Sequence, residues 1–376
     1  MRAIEIEDNK SLISKIDWNF PDSKRSESIH SIHPYPAKFI PEIPRGLLNN
    51  LDIPEGTSVL DPFCGSGVTL YESQQLGLNS YGVDLNPIAC LISKIKTSPL
   101  PVNLVDVGKK IISHAKNKSN IIIPEIPNLD HWFKKDIQSA LSALIPEIKK
   151  EKDIVIREFL MYSISAIIVR VSNQDSDTRY AAVTKNICGD DVYKLFLQTI
   201  EKVVKFKALE ISKEASSLII NKSIFEITKQ DIDSPVGLVI TSPPYPNAYE
   251  YWLYHKYRMF WLGFDPLHVK ENEIGARAHY FKKNRPSVED FKNQLFLIFQ
   301  LLSSLVVKNG FVTFVTGRSK IHGEIIRNDS LIIEAAKLNN FGLFEILTRE
   351  MNSSRKSFNL SHARIKEEYI IILKRL

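Results

Sequence analysis

The segment that most limits what this chain can become is Thr57-Ser58-Val59-Leu60-Asp61-Pro62-Phe63-Cys64-Gly65-Ser66-Gly67. Its apolar start reads as a short buried strand, and Asp61 to Gly67 as a glycine-containing turn. Val68 to Gly77 reads as a helix ended by glycine. A second strand, Asn79 to Val83, follows and ends at Asp84. A strand, helix and strand at this spacing form a βαβ unit, which predicts a parallel sheet.

The turn has ligand-binding features. Gly65 and Gly67 remove side chains where a ligand must come close to backbone. No lysine follows the glycines, so the loop is not a P-loop, and the third glycine of the dinucleotide fingerprint is missing. Asp84 stands where an acid at the end of a second strand can accept hydrogen bonds from both ribose hydroxyls. Its other reading is a helix cap ahead of Asn86-Pro87. Taken together, the turn and the acid predict a nucleoside ligand.

With 376 residues the chain has room for two or three domains, or for one core with a large insertion. Residues 1–30 read as a polar N-terminal arm. Pro34, Pro36, Pro41 and Pro44 exclude an uninterrupted helix before Pro44. Between 97 and 215 strand rhythm gives way to helical periodicity, as in Ile137, Ala140, Leu141, Leu144 and Ile145, so this stretch reads as a helical insertion. Strand patterns return at 218–220, 237–240, 311–315, 343–348 and 367–373. Helical patterns recur at 249–262, 288–306 and 330–338. Residues 31–96 and 216–376 thus form an α/β core around the insertion.

Hydrophobic residues make up 44% and charged residues 24%, a globular balance that excludes a mainly disordered or collagen-like chain. Cys64, Cys90 and Cys188 are odd in number and show no metal-binding spacing. They predict no metal site and no disulfide scaffold, and fit a reducing cytosol. The N-terminal residues lack a signal-peptide pattern and the apolar runs are strand-sized, so neither a leader nor a membrane span is expected. A net charge of +6 permits a polyanionic partner without requiring one.

A second motif, Thr241-Ser242-Pro243-Pro244-Tyr245, follows the strand at 237–240. Two prolines stiffen the loop and leave their carbonyls free as acceptors. A serine oxygen and a proline carbonyl can accept both hydrogens of one –NH₂ group, and Tyr245 offers a face for stacking. Such a loop suits the amino group of a nucleobase.

With these residues the chain resembles the S-adenosylmethionine-dependent DNA amino-methyltransferases, which modify cytosine N4 or adenine N6. Asp61 to Thr69 matches the family's cofactor motif and Thr241 to Tyr245 its catalytic motif. His33-Pro34-Tyr35-Pro36-Ala37-Lys38-Phe39 resembles the motif that packs on the methionine end of the cofactor. The resemblance implies a Rossmann-like methyltransferase core, with a mostly parallel seven-stranded sheet interrupted by the insertion. It places Asp61, Phe63, Gly65, Ser66, Gly67, Thr69 and Thr241 around S-adenosyl-L-methionine. Asp84 falls on the ribose, and Tyr35, Lys38 and Phe39 on the methionine side. Many members carry an acid after the third strand. Asn221-Lys222-Ser223 stands there instead, which leaves Asn221 or Ser223 for the adenine.

The implied reaction needs Ser242, Pro243, Pro244 and Tyr245 to hold a flipped-out base in DNA. Serine at 242 favours cytosine N4 over adenine N6. Methylation of cytosine carbon 5 is disfavoured, because no cysteine follows a proline. An RNA amino-methyltransferase and a non-catalytic nucleic-acid-binding protein on the same fold are the rival readings. Candidate DNA contacts are Arg170, Asn173, Gln174, Arg179 and Tyr249, with Lys282, Lys283 and Arg285 on phosphates. The resemblance further implies a prokaryotic, cytoplasmic, nucleoid-associated enzyme. A restriction endonuclease partner would be a separate chain, since no nuclease motif is evident. Oligomeric state and recognised sequence are left open.

Overall fold

The computed structural model describes residues 12–21, 28–36, 40–177, 179–209, 214–246, 250–276, 279–280, 286–321, 324–350 and 367–376. Its centre is a seven-stranded sheet: β1 (Ser58–Asp61), β2 (Ser80–Val83), β3 (Ser217–Ile220), β4 (Val236–Thr241), β5 (Val306–Thr316), β6 (Phe341–Glu350) and β7 (Glu367–Arg375). The spatial order is β6-β7-β5-β4-β1-β2-β3. β1 pairs in parallel with β2 (Leu60 opposite Tyr81) and with β4 (Leu60 opposite Val239), and β4 in parallel with β5. Only β7 runs against its neighbours, inserted antiparallel between β5 and β6. The mostly parallel seven-stranded sheet expected from the sequence is therefore present.

Every residue of β1, β2 and β4 is buried, as expected for central strands of a parallel sheet covered on both faces. One face meets α10 (Val288–Leu305) and α11 (Asn328–Leu338), with Phe299 stacked on Phe314 at 5.2 Å. The other is covered near β1, β4, β5 and β7 by α1 (Glu42–Asn50) together with Ile13 and Trp18. The N-terminal segment read as a polar arm thus supplies two core side chains.

Helices α2 (Val68–Gln75) and α3 (Pro87–Thr97) follow β1 and β2. The insertion between α3 and β3 contains α4 (Leu104–Lys116), α5 (Lys135–Lys149), α6 (Ile154–Val171) and α7 (Gly189–Lys207). Its apolar core is continuous with Ile88, Ile92 and Ile95 of α3. It also takes in Trp252, Tyr257 and Trp261 of α8 (Tyr251–Leu262). Between α6 and α7 lies a two-stranded ribbon, Gln174–Ser176 against Arg179–Ala182.

Candidate active site

β1 has β2 on one side and β4 on the other, with their connections leaving in opposite directions. In an open parallel sheet the crevice beyond such a point is where ligands bind. A cleft opens there, with about 870 Å³ of non-atom space including its mouth. Its walls come from four strand ends: Pro62–Ser66 after β1, Asp84–Asn86 after β2, Lys222–Ile224 after β3, and Ser242 with Pro244 after β4. Tyr35, Tyr251, Val269 and residues 272–274 close it from outside the sheet.

The loop after β1 is held from several directions. Gly65 and Gly67 adopt φ of 48° and 70°, the left-handed region where a Cβ is strained. A Cβ at Gly67 would stand 2.8 Å from the Ser93 backbone, so this glycine is required for packing of the loop on α3. At Gly65 a Cβ would meet the Tyr35 ring at 3.2 Å. Tyr35 stacks in turn on Tyr251 and His255, at ring distances of 5.8 and 5.2 Å.

Asp84 lines the cleft and accepts two backbone N–H groups, from Gly65 at 2.9 Å and Asn86 at 2.8 Å. These fix its carboxylate while each oxygen keeps acceptor capacity. Burial pushes its pKa up to about 6. Asn86 caps α3 through its side-chain oxygen. Asn86 Nδ2 and Ser66 Oγ are buried in the cleft wall without a hydrogen-bond partner among the described residues. A buried polar atom of this kind costs about 1–3 kcal/mol unless something satisfies it. The walls thus offer a nucleoside the Asp84 carboxylate as an acceptor.

Several residues assigned from the sequence lie outside the cleft lining. Asp61, Thr69 and Thr241 do not reach the cleft. Asp61 is buried behind its wall, one oxygen accepting the Thr241 hydroxyl at 2.7 Å and the Phe63 N–H at 3.1 Å, while the Thr69 hydroxyl donates to the Ile240 carbonyl at 3.3 Å. Burial pushes its pKa up to about 7 despite those donors. The three residues tie the ends of β1 and β4 together. Gly67 likewise faces α3. Of the catalytic motif, Ser242 and Pro244 line the cleft, whereas Pro243 is buried and Tyr245 packs against the α10 side of the core. Ser223 lines the cleft, but Asn221 spends its amide on the Asp84 and Leu85 carbonyls.

The candidate DNA contacts divide similarly. Arg170 and Arg179 are exposed at the end of α6 and on the ribbon. Gln174 is turned inward, its amide donating to the Ser176 carbonyl at 2.8 Å, which removes it as a base reader. The Asn173 amide is engaged by the His131 carbonyl at 3.0 Å. Lys38, Phe39, Tyr249, Lys282, Lys283 and Arg285 lie outside the described residues.

The sequence reading missed Tyr251 and Glu273. Glu273 ends α9 (Pro266–Asn272), whose start was signalled by Asp265-Pro266: Asp265 caps it and proline occupies its first turn. Glu273 is buried, and its two oxygens accept the N–H groups of Tyr251 at 2.7 Å and Trp252 at 3.0 Å. Burial pushes its pKa up to about 8, against those two bonds; nearby Asp84 and Glu250 add to the rise.

Residues 3–94 match a family described as DNA methylase, the N6/N4 type. The chain is 27% identical over 267 residues to the Type II methyltransferase M.MvaI of Kocuria varians, covering 65% of this chain and 58% of that protein. It is 34% identical over 110 residues to the Type II methyltransferase M.MjaII of Methanocaldococcus jannaschii, covering 28% and 20% respectively. To the Type II methyltransferase M.BsoBI of Geobacillus stearothermophilus it is 24% identical over 318 residues, covering 73% and 61%. The aligned region therefore spans less than two thirds of each relative's length. No helix among the described residues is long and apolar enough to cross a membrane. By its family match over residues 3–94 and these relatives, the chain is similar to the S-adenosyl-L-methionine-dependent DNA amino-methyltransferases.

Proposed function

We propose that the chain methylates the exocyclic amino group of a flipped-out base in DNA, with cytosine N4 as the target. One observation carries this reading: Ser242 and Pro244 of the proline loop share a single cleft with Gly65 of the glycine loop and with Asp84 at the end of β2. Loops from adjacent strands thereby bring a nucleoside pocket and an amine-accepting loop to one place.

In this reading Asp84 holds the ribose hydroxyls, while Phe63, Gly65 and Ser66 lie along the cofactor. Tyr35 closes the methionine side, and Lys38 and Phe39 are assigned there with it. The cofactor supplies an electrophilic methyl group on sulfonium. Ser242 Oγ and the Pro243 carbonyl accept the amine hydrogens, which draws the nitrogen toward a pyramidal shape and localises its lone pair. Alignment and electrostatic stabilisation of the developing ammonium supply much of the rate. Cys64 lines the cleft, but burial pushes its thiol pKa well up, so it remains a neutral wall and not a nucleophile.

Arg170 and Arg179, with Lys282, Lys283 and Arg285, are proposed for the DNA. The Type II character of the relatives supports a modification role beside a separate restriction endonuclease. Incubation with labelled S-adenosylmethionine and either duplex DNA or RNA tests the substrate class. Label in DNA supports the reading; label confined to RNA, or in neither, overturns it.

A further inference from the structure

We propose that Glu273 is the carboxylate that receives the ammonium group at the methionine end of the cofactor. The inference rests on the cofactor reading above. It answers a question of charge that the sequence motifs leave open: which acid in the cleft meets the cofactor's amino group.

Two carboxylates line the cleft, Asp84 and Glu273. Asp84 stands at the end of β2, placed for the ribose. Asp61, the acid that opens the glycine loop, lies buried behind the wall, one oxygen accepting from the Thr241 hydroxyl and the Phe63 N–H. Lys222, the cation described on the wall, is bonded to Asp231. Glu273 is thus the buried carboxylate of the cleft with no cationic partner among the described residues.

Its position suits the task. The N–H groups of Tyr251 and Trp252 fix the two oxygens, and each oxygen retains a lone pair. The Tyr251 ring stacks on Tyr35, which in turn covers Gly65. Two residues beyond Glu273, a Cβ at Gly275 (φ 70°) would lie 2.8 Å from the Tyr245 carbonyl. The turn carrying Glu273 is therefore seated against the Ser-Pro-Pro-Tyr loop, between that loop and the tyrosine pair. Its pKa, pushed up to about 8, is what a buried carboxylate shows beside Asp84 and without a cation, and a bound ammonium reverses that cost.

The full chain and its Glu273→Gln variant are titrated calorimetrically with S-adenosylmethionine, S-adenosylhomocysteine and 5′-methylthioadenosine. The last lacks the amino-acid end. The variant loses about tenfold or more in affinity for the first two ligands, the scale of one charge-assisted hydrogen bond, and keeps its affinity for the third. Glu273→Asp, which keeps the charge, retains more of the S-adenosylhomocysteine affinity than the glutamine variant. Equal losses for all three ligands would make Glu273 only a support for α8 and overturn the inference, as would no loss for any. If the unsubstituted chain binds none of them, the cofactor reading fails and the inference with it.

Discussion

The carboxylate of Asp84 accepts the N–H of Gly65 at 2.9 Å, so the acid that ends β2 sets the shape of the glycine loop that ends β1. Replacing Asp84 therefore both removes the proposed ribose acceptor and loosens the loop. Asp84→Ala weakens S-adenosylmethionine binding by about 2 kcal/mol or more, the scale of hydrogen bonds to a charged group. Asp84→Asn loses less, because one oxygen remains. Isothermal calorimetry checks both, and unchanged affinity in the alanine variant contradicts the ribose role.

Ser242 lines the cleft from the catalytic side. Ser242→Ala lowers kcat by roughly 10²–10³, the range for loss of one preorganised polar contact in an active site. It leaves cofactor affinity nearly intact. A parallel fall in both quantities places Ser242 among the cofactor contacts instead.

Gly67 combines φ of 70° with a Cβ position 2.8 Å from the Ser93 backbone. Gly67→Ala destabilises the fold by about 2 kcal/mol or more, through left-handed strain and overpacking together. Urea unfolding reads this as a lowered midpoint. A neutral effect contradicts the close packing of the loop on α3.

Asp61, Asp84 and Glu273 have pKa values pushed up to about 7, 6 and 8. In each, the folded protein keeps a proton that the unfolded chain has already released at lower pH. The folded state then binds more protons, and stability falls as pH rises from about 4 to 8. The melting temperature of the cofactor-free protein should decline across this window. Glu273→Gln should flatten the upper part of that decline. A slope unchanged by the substitution contradicts the assignment.

The βαβ unit and the strand before Ser242 were legible because each is a local pattern: a short buried run, a glycine turn, a helix, an acid. The pairing of Asp61 with Thr241 was not, because 180 residues separate them and only the parallel pairing of β1 with β4 joins their ends. Gln174 read as polar and therefore as accessible, yet the ribbon turns its side chain inward. That ribbon escaped notice because its strands are three and four residues long, too short to show alternation. Glu273 left a partial trace. Asp265-Pro266 announced α9, but nothing local tells that its end folds back onto the start of α8 and into the cleft.

The most direct test of the account is nucleoside analysis of DNA after incubation with the protein and S-adenosylmethionine. The account predicts N4-methylcytosine, strongly reduced with Ser242→Ala. N6-methyladenine alone would contradict the target base, and DNA with no methylated amino group would contradict the central claim.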